Sequence, residues 1–311
     1  MPSLRPTYYA ARLLCIARNV DGDVGDAYDG TTMSTRIAMV LAVAMLVLVA
    51  CRPSPSDPVD YLHREDAIII QMLSVDANAS EIERRSLVPE LTLYGDGTLI
   101  YLSEGIHGPT LYQVQLAEDA IDGIVETISD EGFLDFFYDQ PAPEGSSGQP
   151  STYVYAHTLE RANAVVFKGL DSELPEDAGD EFDPFRSARK IINQVQAEGL
   201  ETSYEAAPAE YSPASVTLLI EPLGEAPLVD TVLFLPLLEV NLAFVAPLDG
   251  GLVEHRVDGE LALTLWTTFA LDNRDELTPT VGPLYQEGNG YLIKFVPLLP
   301  FFENFPEFDL Q

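Results

Sequence analysis

An apolar run at residues 37–50 constrains this chain most, because it separates a leading segment from the part that folds. Arg36 precedes the run, and the proline-rich residues 52–58 follow it and cannot continue a helix. The run is too short to cross a hydrocarbon core, which needs ~20 apolar residues. It therefore predicts a signal segment, and it leaves the residues after position 51 to form the folded body.

The apolar run ends in Leu48, Val49, Ala50 and Cys51. This ending resembles the lipobox of bacterial lipoproteins. The resemblance implies that signal peptidase recognises Leu48, Val49 and Ala50, and that Cys51 carries diacylglycerol as the first residue of the mature chain. Its partner is then the membrane, through a lipid anchor at the outer face of the bacterial cytoplasmic membrane or elsewhere in the cell envelope.

The predicted organisation follows from this assignment. Met33 and Arg36 suffice to start a signal segment, so we expect residues 1–32 to lie upstream of the true translation start. The predicted segments are a signal peptide at residues 33–50, a Pro/Ser tether at 51–60, an N-terminal domain at 61–207 and a C-terminal domain at 208–311.

Cysteine content and charge limit the partners of the body. Cys15 and Cys51 are the two cysteines, and the lipid consumes the second, so we expect no disulfide. The chain has a net charge of -34, and its first 50 residues are balanced, so the mature body carries the whole charge. Such a surface repels nucleic acid and favours a monomer, with an envelope protein or a small cationic ligand as partner.

Short strands dominate the first half of the body. Residues 67–73 form a β-branched run that predicts a buried strand. Residues 90–94 and 98–102 alternate about Gly95, Asp96 and Gly97, which predicts a hairpin with a tight turn in which two of these three residues have positive φ. Further strands are predicted near residues 112–116, 153–157 and 164–167.

Amphipathic helices complete the predicted architecture. The apolar spacing at residues 118–131 predicts a helix, and residues 184–198 predict a second helix that opens with Pro184 and ends at Gly199. Later segments predict a strand at 216–220, a helix at 260–271 and a final hairpin. Together they predict an α+β fold of antiparallel sheets with a few packed amphipathic helices, in two similar-sized subdomains.

Three segments, residues 89–98, 211–216 and 291–300, together resemble a group of uncharacterised bacterial secreted lipoproteins. The resemblance covers most of the mature chain and implies an exported α+β protein. It implies no particular chemistry. The apolar residues 295–302 are predicted to close the core, the alternative being an exposed surface for a partner.

Residues able to support catalysis or bind metal occur without the spacing that either chemistry needs. Ser187 and Lys190 have the Ser-x-x-Lys spacing of penicillin-binding enzymes, but the partner motifs are missing, so we expect Arg189 and Lys190 to face water on a helix. The four histidines stand singly, so no zinc site and no cofactor is expected. The candidate calcium ligands are Asp171, Glu173, Asp177 and Asp180, with a solvated acidic turn as the alternative.

No catalytic motif emerges from the sequence. The pattern therefore favours a lipid-anchored extracytoplasmic protein with a non-catalytic binding role or an interaction role in the cell envelope. The competing hypothesis is a cell-envelope hydrolase whose active site is assembled from dispersed residues. A convergent pair of carboxylates, or of serine and histidine, would favour the enzyme.

Overall fold

The computed structural model describes residues 60–105, 108–175, 178–205, 207–225, 240, 242–245, 251–272, 277–286 and 289–300, which belong to one unit, Asp57–Gln311. The architecture is α+β, with two antiparallel sheets and several helices, as predicted. The predicted lipidation segment at residues 48–51, and Asp177, lie outside the described residues. The predicted domain boundary near residue 207 stays a prediction.

The first sheet, sheet A, has seven strands in the order β6-β5-β1-β2-β3-β4-β7. Its strands are β1 (Ile68–Val75), β2 (Leu91–Tyr94), β3 (Thr98–Gly105), β4 (Gly108–Gln115), β5 (Ser151–His157), β6 (Ala162–Lys168) and β7 (Ala209–Glu210). All the named strand pairs are antiparallel. Beyond β6, Asp139 pairs in parallel with Val166 and covers part of that edge.

The second sheet, sheet B, has the order β10-β11-β8-β9. Its strands are β8 (Ser215–Glu225), β9 (Val253–Asp258), β10 (Thr280–Gln286) and β11 (Asn289–Pro297). The α-helices among the described residues are α1 (Glu81–Arg85), α2 (Glu118–Asp130), α3 (Asp183–Glu205), α4 (Leu242–Val245) and α5 (Gly259–Asp272). Within the described residues, no helix combines the length and the apolar character needed to cross a membrane.

Helices α2 and α3 cover one face of sheet A. Helix α2 buries Ile121, Ile124, Val125 and Ile128, the residues whose spacing predicted it. Each fully buried side chain of this size contributes about 1.5–3 kcal/mol through the hydrophobic effect. The shared core also includes Leu93, Leu99, Val154, Phe167, Ile191 and Val195.

Helix α5 covers the outer face of sheet B. Leu265 and Phe269 are buried, and Leu261 and Trp266 pack partly buried against the same cluster, as the sequence predicted. The Phe269 ring stacks on Phe295 of β11, with 4.6 Å between the ring centroids. The helix therefore belongs to sheet B and not to the core beneath α2 and α3.

The two sheets pack face to face. Tyr94 and Ile100 of sheet A share one buried cluster with Leu219 and Val296 of sheet B. The layers therefore run from α2 and α3 through sheet A and sheet B to α5. Such layering buries both faces of both sheets, which explains why strands such as β1 are buried along most of their length.

The predicted core-closing segment, residues 295–302, is described as far as Pro300, and this part packs into the core. Phe295, Val296 and Leu299 are buried. Two tyrosine hydroxyls bind the backbone of this segment. The Tyr94 hydroxyl donates to the carbonyl of Pro300 at 2.8 Å, and the Tyr211 hydroxyl donates to the carbonyl of Leu298 at 2.8 Å. Burial raises the pKa of both tyrosines.

The predicted hairpin joins β2 and β3, but its two glycines serve different purposes. Gly97 has a φ of 89°, as predicted, whereas positive φ at Gly95 is not observed. A Cβ on Gly95 would lie 1.8 Å from the carbonyl oxygen of Leu62. Gly95 is therefore needed for close approach of the N-terminal segment. Asp96 has a structural role, since its carboxylate accepts hydrogen bonds from the backbone and hydroxyl of Thr98.

The prediction that the second long helix ends at Gly199 was wrong. Helix α3 continues through Gly199 to Glu205. The glycine is buried, and a Cβ there would lie 2.7 Å from Cδ2 of Leu99 in sheet A. Close packing of helix on sheet explains the glycine, so its low helix propensity did not mark a terminus.

Candidate functional site

A half-buried glutamate, Glu90, lies at one end of sheet A. Its backbone is fixed on both sides, because its N–H donates to the carbonyl of Met72 at 2.9 Å and its carbonyl accepts from Leu102 N–H at 2.7 Å. The residue immediately precedes β2, so the strand pairing positions its side chain. Half-buried carboxyls are uncommon unless they are paired or hydrogen-bonded, which makes the surroundings of Glu90 informative.

Ser74, near the end of β1, acts on the Glu90 carboxyl and lowers its pKa through its backbone and its hydroxyl. The Ser74 hydroxyl also lies 3.1 Å from that of Thr152, which is buried at the start of β5. Strands β1 and β5 therefore contribute one hydroxyl each to the site, and Glu90 stands immediately before β2.

A second carboxylate, Asp171, acts on Glu90 from the loop after β6. Burial raises the pKa of Glu90, Ser74 opposes the rise, and the negative charge of Asp171 adds to it. Asp171 itself is exposed. We refer to Ser74, Glu90, Thr152 and Asp171 as the Glu90 site.

Arg189 of α3 holds the loop that carries Asp171. Its guanidinium donates to the carbonyl of Leu170 at 2.6 Å and also to that of Ser172. The prediction that Arg189 faces water was therefore wrong, because a planar guanidinium can satisfy two carbonyls of one turn at once. The position of Asp171 is consequently fixed by helix α3.

No lysine or arginine of the described chain forms an ion pair with Glu90 or Asp171. Arg84 and Arg85, the cations nearest to Glu90 in sequence, bind the carbonyl of Ala79 and the carboxylates of Glu81 and Glu254. Lys168, three residues before Asp171, is exposed at the end of β6. A half-buried carboxylate beside a second negative charge is destabilised in its ionised form. A positive group supplied from outside would relieve that cost, so the arrangement can bind an ammonium or guanidinium group.

The candidate calcium ligands are only partly described. Asp171 belongs to the Glu90 site, Glu173 is exposed in the same loop, and Asp180 begins a short 3-10 turn before α3. Across the described ranges, no group of three or more His, Cys, Asp or Glu side chains is arranged to hold a metal ion. Asp177 is outside those ranges, so calcium binding by this set stays a prediction.

The Ser-x-x-Lys pair of α3 is bound to a single carboxylate. Ser187 donates to Glu131 at 3.0 Å, and Lys190 forms an ion pair with the other oxygen of the same carboxyl. The hydrogen bond from Lys190 holds the pKa of Glu131 below its ordinary value. A carboxylate with a lowered pKa is a weak base, so this arrangement ties the end of α2 to α3 and does not activate Ser187.

The described histidines are separated in the fold. Nε2 of His63 lies 3.3 Å from Oδ1 of Asp60 in the exposed N-terminal segment. His157 is in β5, and His255 is in β9. Burial lowers the pKa of His157. The serine-rich loop at residues 141–150 contains Ser146, whose backbone N–H donates to the carbonyl of Pro143.

The Glu90 site was missed by sequence reasoning, apart from Asp171. Ser74 and Thr152 are 78 residues apart, so no local spacing connects them. The signal available in the sequence was a glutamate immediately before a strongly apolar hairpin. A glutamate at such a position has many explanations other than a site. No protein-family model matches the sequence, and no curated protein matches it significantly. The class that fold and site define is an α+β protein with a half-buried acidic site at the end of a sheet.

Proposed function

We propose that this protein is a lipid-anchored extracytoplasmic binding protein, and that the Glu90 site holds an ammonium group of its ligand. The observation that carries the proposal is the half-buried Glu90 carboxyl, whose pKa burial and the negative charge of Asp171 raise and Ser74 lowers. The net charge of -34 supports it, because such a surface attracts cations over long range and accelerates their association.

The position of the site in sheet A also supports a binding role. Glu90, Ser74 and the start of β5 lie at one end of the strands, and the chain enters the fold at the other end, where Asp60 pairs with Leu159. Strand β5 (Ser151–His157) separates the two ends by roughly 20 Å, at about 3.3 Å per residue. A tether attached at the entry would leave the Glu90 site accessible to ligands.

Lipid anchoring rests on the sequence Leu48, Val49, Ala50 and Cys51. Two or more acyl chains hold a protein stably on a membrane, whereas one chain binds marginally. Expression of the full chain with radiolabelled fatty acid tests this part of the proposal. Cys51→Ala should abolish incorporation and leave uncleaved precursor, and label entering that variant would refute the assignment.

The binding half of the proposal calls for two probes, 1,4-diaminobutane as a small diamine and a short oligolysine peptide as a protein-like cation. Glu90→Gln should weaken binding by about tenfold to hundredfold, because a hydrogen bond to a charged group is worth about 1.5–3 kcal/mol. The matched control is Glu160→Gln, an exposed carboxylate in the turn after β5 whose loss changes the net charge equally. Calorimetric titration at low salt measures both variants.

The two probes separate the kinds of ligand. Binding of the diamine supports a small cationic ligand, and binding of the peptide alone supports an envelope protein. Affinity should increase as pH rises through the pKa of Glu90, because the ionised carboxylate is the form that binds a cation. Equal weakening by Glu90→Gln and Glu160→Gln would show that only the net charge matters and would refute the site.

A cell-envelope hydrolase is the second candidate function. Glu90 and Asp171 favour it, because a carboxyl with a raised pKa near a second carboxylate is an arrangement used for general acid catalysis. A screen against ester, peptide and glycoside substrates tests this alternative. Turnover that disappears in Glu90→Gln and persists in Glu160→Gln would favour the enzyme over the binding protein.

A further inference from the structure

The first described residue of the body pairs with an exposed turn. The carbonyl of Asp60 accepts a hydrogen bond at 2.8 Å from the backbone N–H of Leu159, in the turn between β5 and β6. The Leu159 side chain is 50% exposed. The segment that leads back to Cys51 therefore leaves the body beside an exposed leucine.

An exposed aromatic side chain lies on the segment that follows α2 and runs beside β6. Phe137 is 85% exposed, and the neighbouring Tyr138 is 46% exposed. The backbone around them is fixed: the side-chain amide of Gln140 donates to the carbonyl of Phe137 at 2.6 Å, and Val166 N–H donates to that of Tyr138 at 2.6 Å. The protein therefore presents the Phe137 ring to its surroundings on an ordered backbone.

The aromatic segment begins beside the exposed turn and then runs along β6 away from it, so that Tyr138 pairs with Val166. Arg161 of the turn forms an ion pair with Asp135 at 2.6 Å. Asn163, just inside β6, donates from its side chain to the carbonyls of Phe133 and Phe136, each at 3.0 Å. These bonds connect the exit of the tether to Phe137. We call Phe137, Tyr138 and Leu159 the tether-side apolar surface.

We propose that the tether-side apolar surface rests on the lipid surface of the membrane, with the Phe137 ring in the interface. The inference rests on the lipid anchoring proposed above. Residues 51–60 span at most about 3.6 Å each when fully extended, so the surface stays within a few tens of Å of the bilayer. Because a short tether gives an effective concentration in the mM range, a weak apolar contact is enough to orient the body.

Charge selects the kind of lipid. The body is strongly acidic, and Asp60, Asp135 and Glu160 lie close to the surface in question. Anionic headgroups would be repelled, whereas zwitterionic headgroups would not. Aromatic side chains are well suited to the boundary between headgroups and acyl chains. The contact is therefore expected with phosphatidylcholine or phosphatidylethanolamine.

A quenching experiment on the full-length lipidated protein tests the proposal. The protein is reconstituted into phosphatidylcholine vesicles whose acyl chains carry bromine, which quenches tryptophan at short range. Phe137→Trp is compared with Leu223→Trp, a leucine 52% exposed on β8 of sheet B. Trp266 is present in both variants and gives the same background. We expect vesicles to quench the fluorescence of the Phe137 variant more strongly than that of the control.

A second measurement, hydrogen exchange, does not depend on the folding of either tryptophan variant. Amides of residues 133–140 and 158–161 should exchange hydrogen more slowly in the lipidated, vesicle-bound protein than in the full-length Cys51→Ala protein. The mass of the mature chain first establishes whether Cys51 carries lipid.

Each outcome decides one statement. An unlipidated Cys51 refutes the anchoring and, with it, the orientation. A lipidated protein with equal quenching of both tryptophans and unchanged exchange refutes the orientation alone and leaves the anchoring standing. Protection that appears without vesicles, at higher protein concentration, would show a second copy of the chain on this surface and would also overturn the proposal.

Discussion

Two helical glycines allow the packing of α3 on sheet A to be tested by a matched pair of substitutions. An alanine Cβ at Gly199 would lie 2.7 Å from Cδ2 of Leu99, whereas one at Gly123 of α2 would meet nothing closer than the Gln194 side chain at 3.4 Å. Replacing glycine by alanine inside a helix contributes about 1 kcal/mol of stability through helix propensity. Overpacking a core costs about 1–3 kcal/mol, so the two effects oppose each other only at Gly199.

The expected values follow directly. Gly123→Ala should raise the free energy of unfolding by about 1 kcal/mol, whereas Gly199→Ala should leave it unchanged or lower it by up to about 2 kcal/mol. Urea unfolding followed by circular dichroism measures both variants. Combining Gly199→Ala with Leu99→Val should recover part of the loss, since the shorter side chain makes room for the new methyl group.

Two results would refute the packing argument. Equal stabilisation by Gly123→Ala and Gly199→Ala would mean that α3 does not approach sheet A as closely as described. Additive effects of Gly199→Ala and Leu99→Val would mean that these two side chains do not meet. The slope of the urea transition should stay the same in all variants, because none of them changes the surface exposed on unfolding.

Three further predictions concern other parts of the fold. Gly97→Val should lower the free energy of unfolding by at least about 1–3 kcal/mol, because φ is 89° there, and an unchanged urea midpoint would contradict it. Tyr94→Phe should cost about 0.5–1.5 kcal/mol by removing the hydrogen bond from the Tyr94 hydroxyl to the carbonyl of Pro300, and thermal unfolding checks this loss. The pKa of Glu90 is raised above its ordinary value of 4.5, so the folded state keeps this proton to a higher pH than the unfolded state does. The free energy of unfolding of the wild-type protein should therefore fall as pH rises from the unfolded-state pKa to the folded-state pKa. Glu90→Gln should lack this loss, and matching pH profiles for both proteins would argue against burial of the charge.

The parts of the fold predicted from sequence are those specified by neighbouring residues. The apolar spacing of α2 and the glycines of the β2–β3 hairpin act within a few positions of each other, so both elements could be located without knowing the rest of the chain. The end of α3 depended on Leu99, a residue far away in sequence, and there the local signal from Gly199 was misleading. Tertiary packing overrode helix propensity at that position.

The Glu90 site depends on strand order, which the sequence pattern did not reveal. Strands β5, β1 and β2 are neighbours in sheet A although many residues separate them in sequence, and this order brings Thr152, Ser74 and Glu90 together. The short-range pattern showed three unremarkable polar residues at strand ends. Asp171 was identified because it stands in an acidic run, but its relation to Glu90 depended on the packing of the loop against Arg189.

The backbone pairing of Asp139 with Val166 limits aggregation between copies of the protein that are crowded together. An open strand edge presents a row of free amides and carbonyls, with which a strand of a neighbouring chain can pair, and repeated pairing of this kind leads to aggregation. At one margin of sheet A the segment around Asp139 occupies part of that row, and at the other the last strand, β7, is only two residues long. Copies of the protein at high local concentration would meet often. Margins shortened or covered in this way would let a dense layer of such molecules persist without fusing into fibrils.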